Sequence, residues 1–307
     1  MTTAFVFPGQ GSQSVGMLAD VAAEFSQVQE TFAEASEALG YDLWAAVASG
    51  ETLNQTAVTQ PAMLAAGLAM YRILKAEVKA DNLSFMAGHS LGEYTALTAS
   101  GVFAPKDAFA LVRARGEFMQ SAVPEGVGAM AAILGLSDEQ VRDCCAQAAA
   151  DDIVSAVNYN SPGQVVIAGN KAAVERAMDC CKQAGAKRAL PLPVSVPSHC
   201  ALMKPAAEQL AQMLASVQLS VPSVGVVNNV DVRVEADATA IKSALVQQLY
   251  SPVRWVETVQ WLKSQGVTRI VEVGPGKVLA GLIKRIDGDI ENFAVADLKT
   301  LRDYCAQ

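Results

Sequence analysis

The sequence predicts an α/β protein with a largely parallel sheet and a smaller ferredoxin-like unit inserted into it. Short β-rich runs alternate with longer Ala-rich helical stretches over most of the chain, the pattern of a parallel sheet with crossover helices. The middle of the chain breaks that alternation with an order of its own, β-α-β-β-α-β, which is the split-βαβ signature. Pro124-Glu125-Gly126 and Pro191-Leu192-Pro193 punctuate its two ends. The expected organisation is therefore a larger body from residues 1–125 and 193–307, with an inserted unit at 126–192.

In the larger body, Ala4–Phe7 reads as the first strand. Gln60–Glu77 reads as a helix that is apolar almost all round, and so buried. Ser84–Ala87 is a strand that runs into Gly88-His89-Ser90-Leu91-Gly92, and Glu93–Ser100 is the helix that follows. Val224–Asn228, Arg269–Val273 and Phe293–Ala296 are further strands. In the inserted unit, Gly128–Gly135 is a strand, and Ser137 caps a helix to Ala149 with Gln140 at the capping-box position. Ile153–Asn158 is a strand, Asn160-Ser161-Pro162-Gly163 a turn, and Gln164–Ala168 the next strand. Asn170 is placed to cap a helix ending near Gly185, and Lys187–Leu192 closes the unit as a strand.

Composition narrows the function. The chain has 307 residues, 51% of them hydrophobic, enough for a large core. Its 31 acidic and 23 basic residues give a net charge of −8, which argues against a nucleic-acid binder. The N-terminus has no basic, apolar signal-peptide pattern, and the longest apolar stretches, Met63–Tyr71 and Val127–Leu136, are too short to span a membrane. The vicinal pairs Cys144-Cys145 and Cys180-Cys181, with Cys200 and Cys305, form neither a disulfide framework nor a CxxC zinc or redox spacing. Reduced thiols and a cytoplasmic location are expected. Only His89 and His199 are available for imidazole chemistry. Nothing marks an obligate interface, so a monomer is expected.

Gly88-His89-Ser90-Leu91-Gly92 fits G-x-S-x-G. That pattern makes a sharp strand-to-helix turn which lifts a serine hydroxyl clear of the sheet and aims the following amide at the reacting oxygen. A tight turn without chemistry is the plain alternative. Serine needs a base at neutral pH. His89 shares the turn with Ser90 and should leave it in another direction, so His199 in Val196-Pro197-Ser198-His199-Cys200 is the remaining base. Cys200 leaves open a rival thiolate nucleophile. The run Phe7-Pro8-Gly9-Gln10-Gly11-Ser12-Gln13-Ser14-Val15-Gly16 lacks the Gly-Lys-Ser/Thr of a P-loop and the third glycine of a dinucleotide fingerprint. It remains a glycine-rich turn whose amides suit an oxyanion as well as a phosphate.

Taken together, these residues resemble the malonyl-CoA:acyl-carrier-protein transacylase family of type II fatty-acid synthesis, over the whole chain. The marks are Phe7-Pro8-Gly9-Gln10-Gly11-Ser12-Gln13, Gly88-His89-Ser90-Leu91-Gly92-Glu93, Arg113-Ala114-Arg115-Gly116, Val196-Pro197-Ser198-His199, Gln248-Leu249-Tyr250-Ser251-Pro252-Val253 and Glu272-Val273-Gly274-Pro275-Gly276. The resemblance implies an α/β-hydrolase-like large domain and roles for particular residues. Ser90 would be the acylated nucleophile and His199 its base. The backbone amides of Gln10 and Leu91 would form the oxyanion hole. Arg115 would pair with the free carboxylate of malonate, and the backbone carbonyl of Gln248 would accept the histidine's Nδ1–H in place of a triad aspartate. It implies malonyl-CoA and acyl carrier protein as partners, no metal, and no cofactor beyond the coenzyme A thioester that is itself a substrate. Val196-Pro197-Ser198-His199 is similar to the discrete bacterial enzymes and differs from the His-Ala-Phe-His often found in large synthases. A serine thioesterase of the same fold and a catalytically idle binding module remain the alternatives. An acidic carrier would need a local basic patch on this acidic chain; Lys187-Arg188 and Lys284-Arg285 are the candidates.

Overall fold

The computed structural model describes residues 2–78, 82–194 and 196–306. The chain begins with β1 (Thr3–Phe7), α1 (Ala19–Ala22), α2 (Ser26–Leu39), α3 (Leu43–Ser49), α4 (Thr56–Glu77), β2 (Leu83–Gly88), α5 (Leu91–Ala99) and α6 (Pro105–Ala122). It continues with β3 (Gly128–Leu134), α7 (Asp138–Ala149), β4 (Val154–Ser161), β5 (Gln164–Asn170), α8 (Lys171–Gln183) and β6 (Arg188–Pro191). After a 3-10 turn at Ala201–Met203 come α9 (Lys204–Ser216), β7 (Gly225–Val227), α10 (Ala238–Gln248), α11 (Trp255–Ser264), β8 (Arg269–Val273), α12 (Val278–Ile286), β9 (Glu291–Val295) and α13 (Leu298–Cys305).

Two sheets result. One is parallel, with spatial order β7-β2-β1-β8-β9. The other is antiparallel, with order β4-β5-β3-β6. Alternation along β1 shows why the first is buried on both faces. Phe5 and Phe7 point into the core beneath α4 and α5, whereas Ala4 and Val6 join Trp255, Leu262 and Leu282 on the other side. The small sheet works the same way. Val165 and Ile167 pack under α7 and α8, and Val166 and Ala168 face Cys200 and Leu202 of the large body. The sheets are also stitched by backbone: Val253 N donates to Val157 O at 2.8 Å, and Tyr159 N to Val253 O at 3.0 Å. The loop after α10 is thus tied directly to β4.

Local chemistry followed expectation at Ser137, whose side chain and Gln140 form a reciprocal capping box. Asn170 behaves differently. Its Oδ1 accepts from Ile153 N, just before β4, at 2.8 Å and makes no bond to the first turn of α8. β4 also runs on to Ser161, through half of the expected turn, and both Asn160 and Ser161 are buried. Glu272 on β8 accepts from the amides of Leu279 and Ala280, at 3.1 and 2.8 Å, and so caps α12 from beneath. No described helix is long and apolar enough to cross a membrane.

Candidate active site

Three loops leave the C-terminal ends of adjacent parallel strands and meet. This is where open α/β sheets place their ligands. β1 leads to Gln10, β2 to Ser90 and β7 to Asn229. Ser90 sits in the turn between β2 and α5 with φ 53° and ψ −110°, a strained conformation for a residue with a side chain. The glycines on either side are required by contact. A Cβ on Gly88 would lie 1.9 Å from the Gly92 carbonyl carbon, and one on Gly92 would lie 2.0 Å from Phe7 O. The turn is held by Asn229, whose Oδ1 accepts from Ser90 N at 2.8 Å while its Nδ2 donates to Gly88 O at 2.7 Å.

Ser90 Oγ lies 2.8 Å from His199 Nε2, and His199 Nδ1 lies 2.7 Å from Gln248 O. A carbonyl only accepts, so Nδ1 carries the proton, Nε2 accepts, and the serine hydroxyl donates. His199 itself has φ 66°, and its amide donates to Leu249 O at 2.9 Å. Burial, then the nearby Arg115 charge, hold the His199 pKa down at about 3, so the ring is neutral at physiological pH. His89 points elsewhere: its Nε2 is 2.8 Å from Asn160 Oδ1 on β4, and its ring packs near Trp255. Cys200 is 2% exposed, its thiol donates to Pro197 O at 3.1 Å, and burial raises its pKa to about 11. It is not among the residues lining the cavity at Ser90.

Arg115 comes from α6 and is only 1% exposed. Nη1 donates to Gln60 Oε1 at 2.9 Å, and Nη2 donates to Gln248 Oε1 at 3.0 Å and to Ser90 Oγ at 3.3 Å. The guanidinium carbon lies 5.2 Å from the centre of the Tyr94 ring. Nε has no partner among the described residues, and none of their ion pairs includes this arginine. Burial lowers its pKa, with the neighbouring Tyr94 opposing, and a guanidinium remains charged regardless.

Ser90, His199, Arg115, Gln10 and Leu91 all line one cavity of about 220 Å³. The Leu91 amide opens α5 and is free by position, as the first amides of a helix are. A second cavity, of about 610 Å³, shares Gln10, Asn54 and His89 with the first and passes between α12 and the small sheet. Of the expected basic residues, Lys187 lines a separate groove with Gly135 and Arg142. Lys284 and Arg285 lie on α12, near the second cavity but outside its lining. Arg115 is the only cation lining either cavity among the described residues.

Sequence reasoning missed Gln60, Asn229 and the side chain of Gln248, and it gave Glu93 no task. Gln60 had a signal, since a glutamine in an otherwise apolar helix needs a buried partner. Glu93 is 2% exposed, and burial pushes its carboxyl up to about 7.

Fold and site together are those of an enzyme that handles acyl groups at the edge of a parallel sheet. The acyl transferase domain model matches residues 4–299, and the chain belongs to that family. It is 61% identical over 297 residues to a malonyl CoA-acyl carrier protein transacylase of Haemophilus influenzae, covering 96% of this chain and 95% of the relative. Among solved structures it is similar to an acyl carrier protein S-malonyltransferase of Vibrio cholerae, with TM-score 0.96 and 58% identity over 99% of this chain and 100% of the other. It is also similar to a malonyl-transacylase in complex with a type II PKS acyl-carrier protein, with TM-score 0.98 and 57% identity over 100% and 99% of the two chains.

Proposed function

We propose that this protein transfers the malonyl group from malonyl-CoA to the phosphopantetheine thiol of acyl carrier protein, through a malonyl ester on Ser90. The observation that carries the reading is Arg115. A buried guanidinium with no acidic partner, 3.3 Å from Ser90 Oγ, suits an acyl group that brings its own carboxylate.

In the first half-reaction Ser90 Oγ gives its proton to His199 Nε2 and attacks the thioester carbonyl. The amides of Leu91 and Gln10 receive the tetrahedral oxyanion, and each such donor is worth roughly 3–4 kcal/mol in the transition state. The C–S bond breaks, and coenzyme A leaves as the thiol with the proton from His199. In the second half-reaction the carrier thiol gives its proton to Nε2 and attacks the ester carbonyl; the C–O bond to Ser90 breaks, and Oγ leaves with the proton returned from His199. The first leaving group and the second nucleophile are both thiols with pKa of about 8.5, which explains why a neutral carbonyl at Gln248 suffices behind the imidazole. The second cavity is assigned to the pantetheine arm, which coenzyme A and the carrier have in common.

The finer architecture belongs to the same proposal. The small sheet's order β4-β5-β3-β6, with its βαββαβ succession, supports a ferredoxin-like unit at 126–192. The larger body at 1–125 and 193–307 is read as α/β-hydrolase-like, supported by the strained serine turn at the end of β2. We assign a cytoplasmic monomer that needs no cofactor. The alternative acceptor is water, in a thioesterase. Product analysis with malonyl-CoA and holo carrier protein separates the two: malonyl-carrier protein is expected, and free malonate in its place would overturn the transfer reading.

A further inference from the structure

Glu93 has no part in the transfer steps above, yet it sits at the centre of the buried network. Its Oε2 accepts two hydrogen bonds, from Asn229 N at 2.9 Å and from Gln248 Nε2 at 2.8 Å. Those donors belong to the residues that hold opposite members of the reacting pair. Asn229 clamps the turn at Ser90, and the Gln248 carbonyl holds His199. The Gln248 side chain then reaches on to Arg115.

We infer that Glu93 is a positioning residue that sets selectivity for an acid-bearing acyl group, by fixing the Gln248 amide so that its oxygen faces Arg115. The inference rests on the transfer reading above. A side-chain amide has nearly the same shape when turned over, but opposite hydrogen bonding. Glu93 Oε2 and the Ser90 carbonyl oxygen both accept from Nε2, at 2.8 and 3.1 Å, so Nε2 must face them, and Glu93 is the closer of the two. Oε1 then faces Arg115 Nη2 at 3.0 Å. Turned over, an NH2 group would meet the guanidinium, and Arg115 would keep only Gln60 as a side-chain amide acceptor. The same Nη2 reaches Ser90 Oγ, so the bond to Gln248 governs where the guanidinium stands at the acyl end. A proton on Oε1 leaves Oε2 an acceptor, so the device works in either protonation state of Glu93. The Glu93 charge acts in the opposite direction, because a negative group near Arg115 weakens its attraction for a carboxylate.

These two effects separate by substitution. Glu93→Gln keeps an acceptor for Asn229 and Gln248 while removing the charge. Glu93→Ala removes both. The readout is the ratio of kcat/KM for Ser90 acylation by malonyl-CoA to that by acetyl-CoA. The ratio is expected to fall tenfold or more in Glu93→Ala and to stay at or above the wild-type value in Glu93→Gln. A merely structural role would slow both substrates together and leave the ratio unchanged. An unchanged or raised ratio in Glu93→Ala, or an equal fall in both variants, overturns the inference. Should Glu93→Ala fail to fold, Glu93→Asp carries the test, since its shorter carboxylate withdraws from Gln248. A lowered ratio there supports the inference and an unchanged one overturns it. Wild-type protein that takes up no malonyl group would instead sink the transfer reading and this inference with it.

Discussion

Arg115→Ala is the perturbation whose consequences the structure defines most fully. Arg115 is 1% exposed and touches Ser90, Gln60 and Gln248. For a malonyl group, the substitution removes one member of a buried charge pair and leaves the carboxylate unpaired. Losses of that kind run to about 3–5 kcal/mol, which at ~1.4 kcal/mol per decade is roughly two to three and a half decades in kcat/KM. For an acetyl group, the only direct loss is the long 3.3 Å contact to Ser90 Oγ. A net hydrogen bond is worth about 1 kcal/mol, or roughly a fivefold effect. Stability should change little. Orphaning Gln60 Oε1 and Gln248 Oε1 is destabilising, and removing a buried cation that makes no ion pair among the described residues is stabilising. The assay is quenched-flow mass spectrometry of the Ser90 ester with malonyl-CoA and acetyl-CoA, beside a thermal melt. Equal losses for both acyl groups with an unchanged melting temperature would refute the carboxylate role.

Cys200→Ser should keep full transfer activity, because that thiol is buried and donates to Pro197 O; loss of the Ser90 ester in this variant would revive a thiolate mechanism. Gly92→Ala should fail to give soluble folded protein or lose most of its thermal stability, since its Cβ would lie 2.0 Å from Phe7 O; a wild-type melting curve would contradict that contact. pH acts on stability through two buried groups of opposite sign. His199 drops from 6.5 to about 3 on folding, so its contribution is present above pH 6.5 and is lost as pH falls below it. Glu93 rises from 4.5 to about 7, so its contribution is present below pH 4.5 and is lost as pH rises to about 7. Between those limits they offset one another. The difference between wild type and His199→Ala isolates the imidazole: from pH 7 to pH 4.5 the wild type should lose up to ~3 kcal/mol relative to the variant, read by denaturant titration at the two pH values. A constant difference would show that His199 is not held neutral.

The fold was legible where periodicity is strong and the contacts are local. β1, β8 and the Ser137-capped helix lie where the pattern put them, because alternation and capping act over a few residues. Asn170 and the far end of β4 were not legible, since their partners come from a neighbouring strand and from the other body. The site divides in the same way. Glycines flanking a serine declare a tight turn in the sequence itself, and the steric demand at Gly88 and Gly92 explains why. Arg115, the Gln248 carbonyl and the Gln10 amide entered through the family resemblance; Arg115 and Gln10 line one cavity with Ser90 and His199, and the Gln248 carbonyl stands behind His199. Glu93 stood in a quoted motif without a task. Its two donors lie 136 and 155 positions away, and no local pattern reports a bond across that span. Charge was the least legible property. A basic rim was expected from the net charge of −8, and among the described residues Arg115 is the one cation in the cavity lining. Lys284 and Arg285, expected to belong to such a rim, lie on α12 outside both cavity linings.

Transfer by this route requires an acyl group to rest on Ser90 between two thiols. Brief exposure of the protein to malonyl-CoA, followed by intact-mass and peptide mass spectrometry beside Ser90→Ala, tests it directly. One malonyl adduct is expected on the Ser90 peptide, absent from the variant and discharged by holo carrier protein as malonyl-carrier protein. No adduct on wild type, an adduct that persists in Ser90→Ala, or discharge only as free malonate would contradict it.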